Sequence, residues 1–187
     1  MTGLSHLLPT ALQRRTPHAA ITYALQDSEI LELLAALPNT TMGRRHGFAF
    51  QLMATYGLQA AELRYLQVCN QERELWLRSR PEGLDLTGRT GNPCRLKAWL
   101  VVNGNGIPQD WNLVRRVALG ERLPALGSDG EADQHLEAYL KSKPVWQQIQ
   151  RNASRSGQLA KVDSFRKRYV CSAQNLDRVE TRTNEPR

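Results

Sequence analysis

Positively charged side chains that could contact phosphate groups occur in two short stretches of the sequence. The stretch CRLKAWL (94–100) carries Arg95 and Lys97. The stretch SFRKRY (164–169) carries three consecutive cations, which are Arg166, Lys167 and Arg168. Because guanidinium and ammonium groups bind phosphate oxygens through charge-assisted hydrogen bonds, both stretches predict contacts with a polyanion. A solvated basic surface is the alternative interpretation of the same charge run.

The distribution of charge along the chain favours the same kind of partner. The chain has 187 residues and a net charge of +7. Residues 1–140 hold 14 Lys+Arg and 14 Asp+Glu, whereas residues 141–187 hold 11 and 4. The whole excess therefore lies in the last quarter of the chain, which predicts a nucleic-acid partner or, alternatively, a solvated basic tail.

Several classes of protein are disfavoured by the composition. The cysteines are odd in number, widely spaced and without a CxxC pair or a zinc pattern with the four histidines; they are Cys69, Cys94 and Cys171. We therefore expect neither a disulfide framework nor a metal or cofactor site. No apolar run approaches membrane-spanning length, and His6, Pro9 and Gln13 interrupt the short apolar stretch at the N-terminus. These features favour a cytoplasmic protein without a membrane partner.

The first third of the chain is predicted to be helical after a loose arm over residues 1–21. A helix over residues 27–37 follows, with Asp27 or Ser28 as its cap. A second helix is predicted from about Thr41 to about Tyr56, and Gly57 fits the left-handed position that ends it. Its buried side would hold Phe48, Leu52 and Met53, with Phe50 near the edge. A short third helix is expected over residues 60–67.

After the third helix, the spacing of the apolar residues changes from the helical period to alternation. Apolar and polar residues alternate in ELWLRSR (74–80), which predicts a strand, and CRLKAWLVV (94–102) is interpreted as the returning strand. Together they predict an antiparallel hairpin around a long turn-rich loop. Further helices are predicted over 109–119, capped by Asp110, over 131–153 with an interruption at Pro144, and over 163–176. The expected fold is α+β and mostly helical, with a small antiparallel sheet on one edge, a core over residues 22–176 and a disordered polar tail over 177–187.

Three of these features, in this order, resemble the catalytic domain of tyrosine recombinases, the phage integrase family. They are TYGLQAAELRYLQV (55–68), the hairpin after it, and SFRKRY (164–169) at the start of a helix. The family shows TGLRxxEL at a helix joint, a lysine in a β-hairpin and HxLRH at a helix start. The resemblance covers roughly residues 22–173 and is closest to a divergent integrase-like group of cyanobacteria.

The resemblance implies phosphoryl-transfer chemistry on DNA without a metal. In the family, a tyrosine attacks a phosphodiester, two arginines stabilise the charge of the transition state, and a lysine and a histidine transfer protons. Here the first arginine is replaced by Gln59 and the histidine by Asp163, whereas the second arginine is retained as Arg166. The hairpin lysine falls near Asn92, with stand-ins available at Arg89, Arg95 or Lys97.

The resemblance therefore implies a DNA-binding protein associated with integration and recombination whose catalysis is impaired. The glycine–histidine motif and the distal tyrosine of the family are not visible before Arg187. Tyr169 is interpreted as a packing residue and Glu62 as a local cap or pairing partner. One alternative is a non-catalytic DNA-binding regulator or partner of an intact recombinase, and another is an unrelated helical protein with a basic tail that binds nucleic acid. Besides double-stranded DNA, the further candidate partners are an intact recombinase and a second copy of the chain on DNA.

Overall fold

The computed structural model describes residues 21–69, 71, 74–78, 94–96, 98 and 111–169, and these form an α+β fold that is mostly helical, as predicted. The tail over residues 177–187 and almost all of the predicted N-terminal arm lie outside the described residues. The elements follow in chain order as α1 (Asp27–Ala35), α2 (Thr41–Tyr56), a 3-10 helix (Ala61–Tyr65), β1 (Leu66–Cys69), β2 (Glu74–Leu77), β3 (Cys94–Arg95), α3 (Leu113–Ala118), α4 (Ala132–Lys141) and α5 (Pro144–Arg155). A further helix, α6, begins at residue 164 and is described to residue 169.

The ends of α2 follow the local signals in the sequence. The Thr40 hydroxyl accepts a hydrogen bond from the Gly43 N–H at 3.1 Å, and Gly57 ends the helix with a φ of 64°. The predicted span of α2 is therefore confirmed. The predicted cap of α1 is wrong, because Gln26 precedes the helix and its N–H donates to Glu29 Oε2 at 2.9 Å.

The third helix predicted over residues 60–67 is wrong in type and extent. A 3-10 helix ends at Tyr65, and the next four residues form β1. This strand pairs antiparallel with β2 along its whole length, from Leu66 opposite Leu77 to Cys69 opposite Glu74. Pairing with the strand that follows satisfies the backbone groups that a longer helix would have satisfied internally.

The predicted hairpin is present in the described residues as the second pair of a three-stranded sheet. The order is β1-β2-β3, and β3 pairs antiparallel with β2 through Trp76 opposite Arg95 and Leu77 opposite Cys94. Most of the long loop between them lies outside the described residues. The small antiparallel sheet is thus confirmed with one strand more than expected.

The two helices after the sheet also differ in detail from the prediction. α3 starts at Leu113, after Asn112 in a left-handed conformation, while the predicted cap Asp110 lies outside the described residues. The interruption at Pro144 is confirmed: α4 ends at Lys141 and Pro144 occupies the first turn of α5. Proline suits that position because its missing N–H has no helical partner there.

One hydrophobic core joins α2 to α5 and α6. Phe50 was expected near the edge of α2, but it is fully buried, which corrects that prediction. Its ring stacks on Phe165 with centroids 5.0 Å apart, and Phe165 in turn stacks on Trp146 at 6.1 Å. A stack of three rings, one from each of three helices, therefore buries Phe50 on a face that helical periodicity alone assigns to the boundary.

The segment before α1 is hydrogen-bonded to the segment that follows α5. Thr22 forms a parallel bridge with Leu159, and the Tyr23 N–H donates to the Leu159 carbonyl at 2.9 Å. This attachment brings the start of α1 beside α6. Among the described helices, none is long and apolar enough to cross a membrane.

Candidate nucleic-acid interface

The joint between α2 and the 3-10 helix packs directly against α6. Gly57 has a left-handed backbone, and a Cβ atom built on it would lie 2.3 Å from Cδ1 of Tyr169. Only a residue without a side chain allows this approach. The contact brings the first motif, around Gln59, and the third motif, around Arg166, to one corner of the molecule. Tyr169 is a packing residue there, as predicted.

The backbone at Gln59 is held by a buried carboxylate. The Gln59 N–H donates to Glu62 Oε2 at 2.7 Å, and Glu62 is completely buried. This bond has the geometry of a helix-initiating cap, in which a side chain three residues ahead satisfies an exposed N–H. The predicted local role of Glu62 is therefore confirmed. Gln59 itself is half-buried, at the end of the joint.

A carboxylate from α4 connects the same joint to the start of α6. Asp133 accepts a hydrogen bond from the Ala60 N–H. Partial burial, and next to it the negative charge of Asp163, raise the pKa of the Asp133 carboxyl, while the bond from Ala60 acts in the opposite direction. Asp133 and Asp163 are therefore close enough to repel each other, and both lie at the corner that carries the motifs.

The retained arginine of the third motif is paired with an acid within its own segment. Arg166 Nη1 lies 3.6 Å from Asp163 Oδ1, and the two side chains are 26% and 38% exposed. Asp163 also contributes its carbonyl oxygen, which accepts from the Lys167 N–H at 2.9 Å. The predicted phosphate contact of Arg166 thus has an internal competitor.

Arg168 was predicted to bind DNA, and it is the most deeply buried of the three consecutive cations. Its side chain is only 5% exposed, and Nε and Nη2 lie 2.7 Å and 2.5 Å from Asp27 Oδ1. The guanidinium group faces the first turn of α1 and does not present itself to an external phosphate. Lys167 is half-buried and forms no ion pair with any described residue.

The sheet carries one of the other predicted cations. Arg95 on β3 is 66% exposed and pairs with Glu74 on β2 at 2.9 Å. Because most of its side-chain surface is open to solvent, a phosphate can approach Arg95 without displacing Glu74. Lys97, Arg89 and Asn92 lie outside the described residues.

A cavity of about 550 Å³ lies between α4 and the segment that leads into α6. Its charged lining consists of three carboxylates and two lysines, which are Asp133, Glu137, Asp163, Lys141 and Lys161. Glu137 accepts from the Val162 N–H at 3.0 Å, and burial raises the pKa of its carboxyl. No group of three or more His, Cys, Asp or Glu side chains in the described part of the chain could hold a metal ion.

The polar face of α5 is a candidate contact surface that the motif analysis missed. The helix buries Trp146, Ile149 and Ala153 and exposes amides, a serine and two arginines, with no acidic residue in its sequence PVWQQIQRNASR. Arg151 donates to Gln148 Oε1 at 2.6 Å through Nη2, and Gln148 donates onward to Asn152 at 2.9 Å. The absence of acids from this amphipathic helix was a signal already visible in the sequence.

This face is suited to a polyanion. Neither Arg151 nor Arg155 pairs with a carboxylate among the described residues. Side-chain amides both donate and accept, so the face could contact phosphates and the edges of bases together. Comparisons with protein-family models, with curated proteins and with solved structures find no match to this chain.

Proposed function

We propose that the chain is a double-stranded-DNA-binding protein of the tyrosine recombinase type, associated with DNA integration and recombination, in which catalysis is impaired. The observation that carries this proposal is the contact between Gly57 and Tyr169. It joins two motifs that lie far apart in the sequence and that the resemblance expects at one site. A chance similarity of two short motifs would not require such a contact.

The charges at this corner support impaired catalysis. Gln59 brings a neutral amide to the position where the resemblance implies an arginine, and Asp163 brings a carboxylate where it implies a histidine. Removing one donor that stabilises a developing negative charge costs roughly 3–4 kcal/mol of transition-state stabilisation. A carboxylate at the second position adds repulsion of the phosphate. We therefore expect no covalent protein–DNA adduct on a nicked suicide substrate.

DNA contact is assigned to the acid-free face of α5, and Lys167 and Arg95 are further candidate contacts elsewhere on the molecule. Contacts of arginine with phosphate release counterions, so the binding should weaken steeply as salt is added. DNA binding together with impaired catalysis is also expected of the alternative, a non-catalytic regulator or partner of an intact recombinase. Either protein would act on DNA in the cytoplasm of a bacterium or an infected cell.

The test is the affinity of the purified protein for duplex DNA over a range of salt concentrations. We compare the wild type with the double variant Arg151→Gln/Arg155→Gln. Loss of two phosphate contacts should weaken binding about tenfold or more at low salt and reduce the slope of log K against log salt by about 2. Circular dichroism should show an unchanged fold, because both side chains are exposed.

The matched control removes the same kind of charge elsewhere. Arg122 is exposed between α3 and α4 and forms no ion pair with a described residue. Arg122→Gln should leave both the affinity and the salt slope near the wild-type values. Because this control removes one charge and the double variant removes two, a change in log affinity and slope half as large as that of the double variant would show that only the net charge matters. Absence of salt-dependent binding in the wild type would refute the proposed function.

A further inference from the structure

We propose that Asp163 sets the affinity of this protein for DNA by holding Arg166 as an internal substitute for a backbone phosphate. The inference rests on the proposed DNA-binding function and concerns how that binding is regulated at the corner that carries Gln59 and Arg166. It assigns Asp163 as an affinity-determining residue, and it assigns Arg166 as a phosphate ligand that is masked in the free protein.

The first support is the geometry of the pair. Asp163 Oδ1 lies 3.6 Å from Arg166 Nη1, which is the distance range of an ion pair. A carboxylate and a phosphodiester offer the same acceptor to a guanidinium group, namely a negatively charged oxygen. While the pair is formed, a DNA phosphate must displace the Asp163 carboxylate before it can reach this arginine.

The second support is the charge around the pair. Asp133 is coupled to Asp163 through their like charges, and Glu137 lines the same cavity. Lys141 and Lys161 also line the cavity. Asp163 thus belongs to a group of carboxylates, and a phosphate that approaches Arg166 comes close to the Asp163 carboxylate, because Asp163 is the arginine's own ion-pair partner.

The third support is that the pair can open without disturbing the core. Both side chains are partly exposed, whereas Arg168 in its pair with Asp27 is only 5% exposed. The backbone role of Asp163 is independent of its side chain, because the Lys167 N–H is bound by the main-chain carbonyl. Removing the carboxylate charge should therefore unmask Arg166 and leave α6 in place.

The experiment is a double-mutant cycle in DNA affinity with Asp163→Asn, Arg166→Gln and the double variant. Asp163→Asn should tighten binding to duplex DNA about tenfold and steepen the salt slope by about 1, the increment of one added phosphate contact. Arg166→Gln should change the wild-type affinity less than about threefold, since the arginine is masked. In the Asp163→Asn background, the same substitution should remove the whole gain.

A control and a replacement variant keep the result interpretable. Glu32 is exposed on α1, so Glu32→Gln makes the same change of net charge and should leave the affinity unchanged. If Asp163→Asn unfolds in a thermal melt, Asp163→Ser tests the same carboxylate. A gain that persists without Arg166, or that Glu32→Gln reproduces, would overturn the masking in favour of a net-charge effect.

The two proposals fail in different ways. If the wild type binds DNA with the expected salt dependence but Asp163→Asn and Asp163→Ser bind no more tightly, masking is wrong and DNA binding remains. If none of the variants binds DNA, the proposed function fails and the masking fails with it.

Discussion

The α-carbon of Gly57 lies against the ring of Tyr169 so closely that a Cβ atom at position 57 would be 2.3 Å from Tyr169 Cδ1. The same glycine has a φ of 64°, a left-handed conformation that ends α2. Two independent constraints, one on the backbone and one on space, therefore act on a single residue. Together they fix the joint that carries Gln59 against the helix that carries Arg166.

We expect Gly57→Ala to destabilise the protein by about 2–4 kcal/mol, the sum of left-handed strain and overpacking. Urea unfolding followed by circular dichroism measures this change. Gly120 is the matched control, because it has a φ of 69° and nothing within 4 Å of a built Cβ. Gly120→Ala should cost only the strain, about 1–2 kcal/mol. Equal losses at both positions would argue against the packing of Tyr169 on Gly57.

The ion pair between the buried Arg168 and the partly exposed Asp27 should contribute to stability. Arg168 is 5% exposed, so Asp27→Asn removes the charge of the carboxylate that its Nε and Nη2 contact in a largely dry position. We expect a loss of about 2–3 kcal/mol in the free energy of unfolding, measured by denaturant titration. The exposed pair of Arg95 and Glu74 is the comparison, and Arg95→Gln should cost less than about 1 kcal/mol.

A second substitution in the same ion pair tests whether Arg168 only stabilises the fold or also contacts DNA. Arg168→Met removes the charge but keeps much of the buried stem. If Arg168 only ties α6 to α1, the folded fraction of this variant should bind DNA with the wild-type salt slope. A slope reduced by about 1 would instead show that Arg168 reaches a phosphate, as the sequence alone suggested.

The hydrogen bond from the Gln59 N–H to Glu62 Oε2 should stabilise the joint between α2 and the 3-10 helix. Glu62→Ala removes the partner of the Gln59 N–H in a buried site, and we expect a loss of about 1–3 kcal/mol. Glu62→Gln keeps a side-chain oxygen at the same reach and should lose less. Chemical denaturation of the two variants in parallel measures the difference. Identical losses would mean that the bond to Gln59 contributes nothing.

The histidine on α2 should make stability depend on pH. The His46 ring stacks on Tyr139 with centroids 3.6 Å apart, and Lys143 lies over the same tyrosine ring at 4.2 Å. Burial, and to a smaller extent the charge of Lys143, lower the pKa of His46 below 6.5, although the bond from Nδ1 to the Met42 carbonyl opposes this. The folded protein therefore binds this proton less readily than the unfolded chain.

Stability should consequently fall as the pH drops from about 6.5 through the lower pKa of the folded state. Asp133 and Glu137 act in the opposite sense, because their raised pKa values make the folded protein gain stability as they become protonated. The difference between wild type and His46→Gln isolates the histidine. That difference in unfolding free energy should shrink on acidification between pH 7 and 5, and a constant difference would contradict the prediction.

Local signals in the sequence determined most of the helices. α2 spans the predicted residues, with Thr40 as its N-cap and Gly57 at its C-terminal end. Pro144 separates α4 from α5 as expected. These features depend on groups within one helical turn, since a cap or a proline acts on its immediate backbone neighbours. The acidic cap of Glu62 on the joint belongs to the same class, because the two groups are three residues apart.

Other features were decided by the tertiary structure. Residues 66–69 form a strand because β2 is available to pair with them, and Phe50 is buried because Phe165 covers it. Arg168 turned out to be a buried partner of Asp27, a residue at the other end of the described chain. A charge run in the sequence records that cations are present. Which cation faces solvent, which faces an acid and which is buried depends on contacts between distant segments, and local sequence carries no information about their distances.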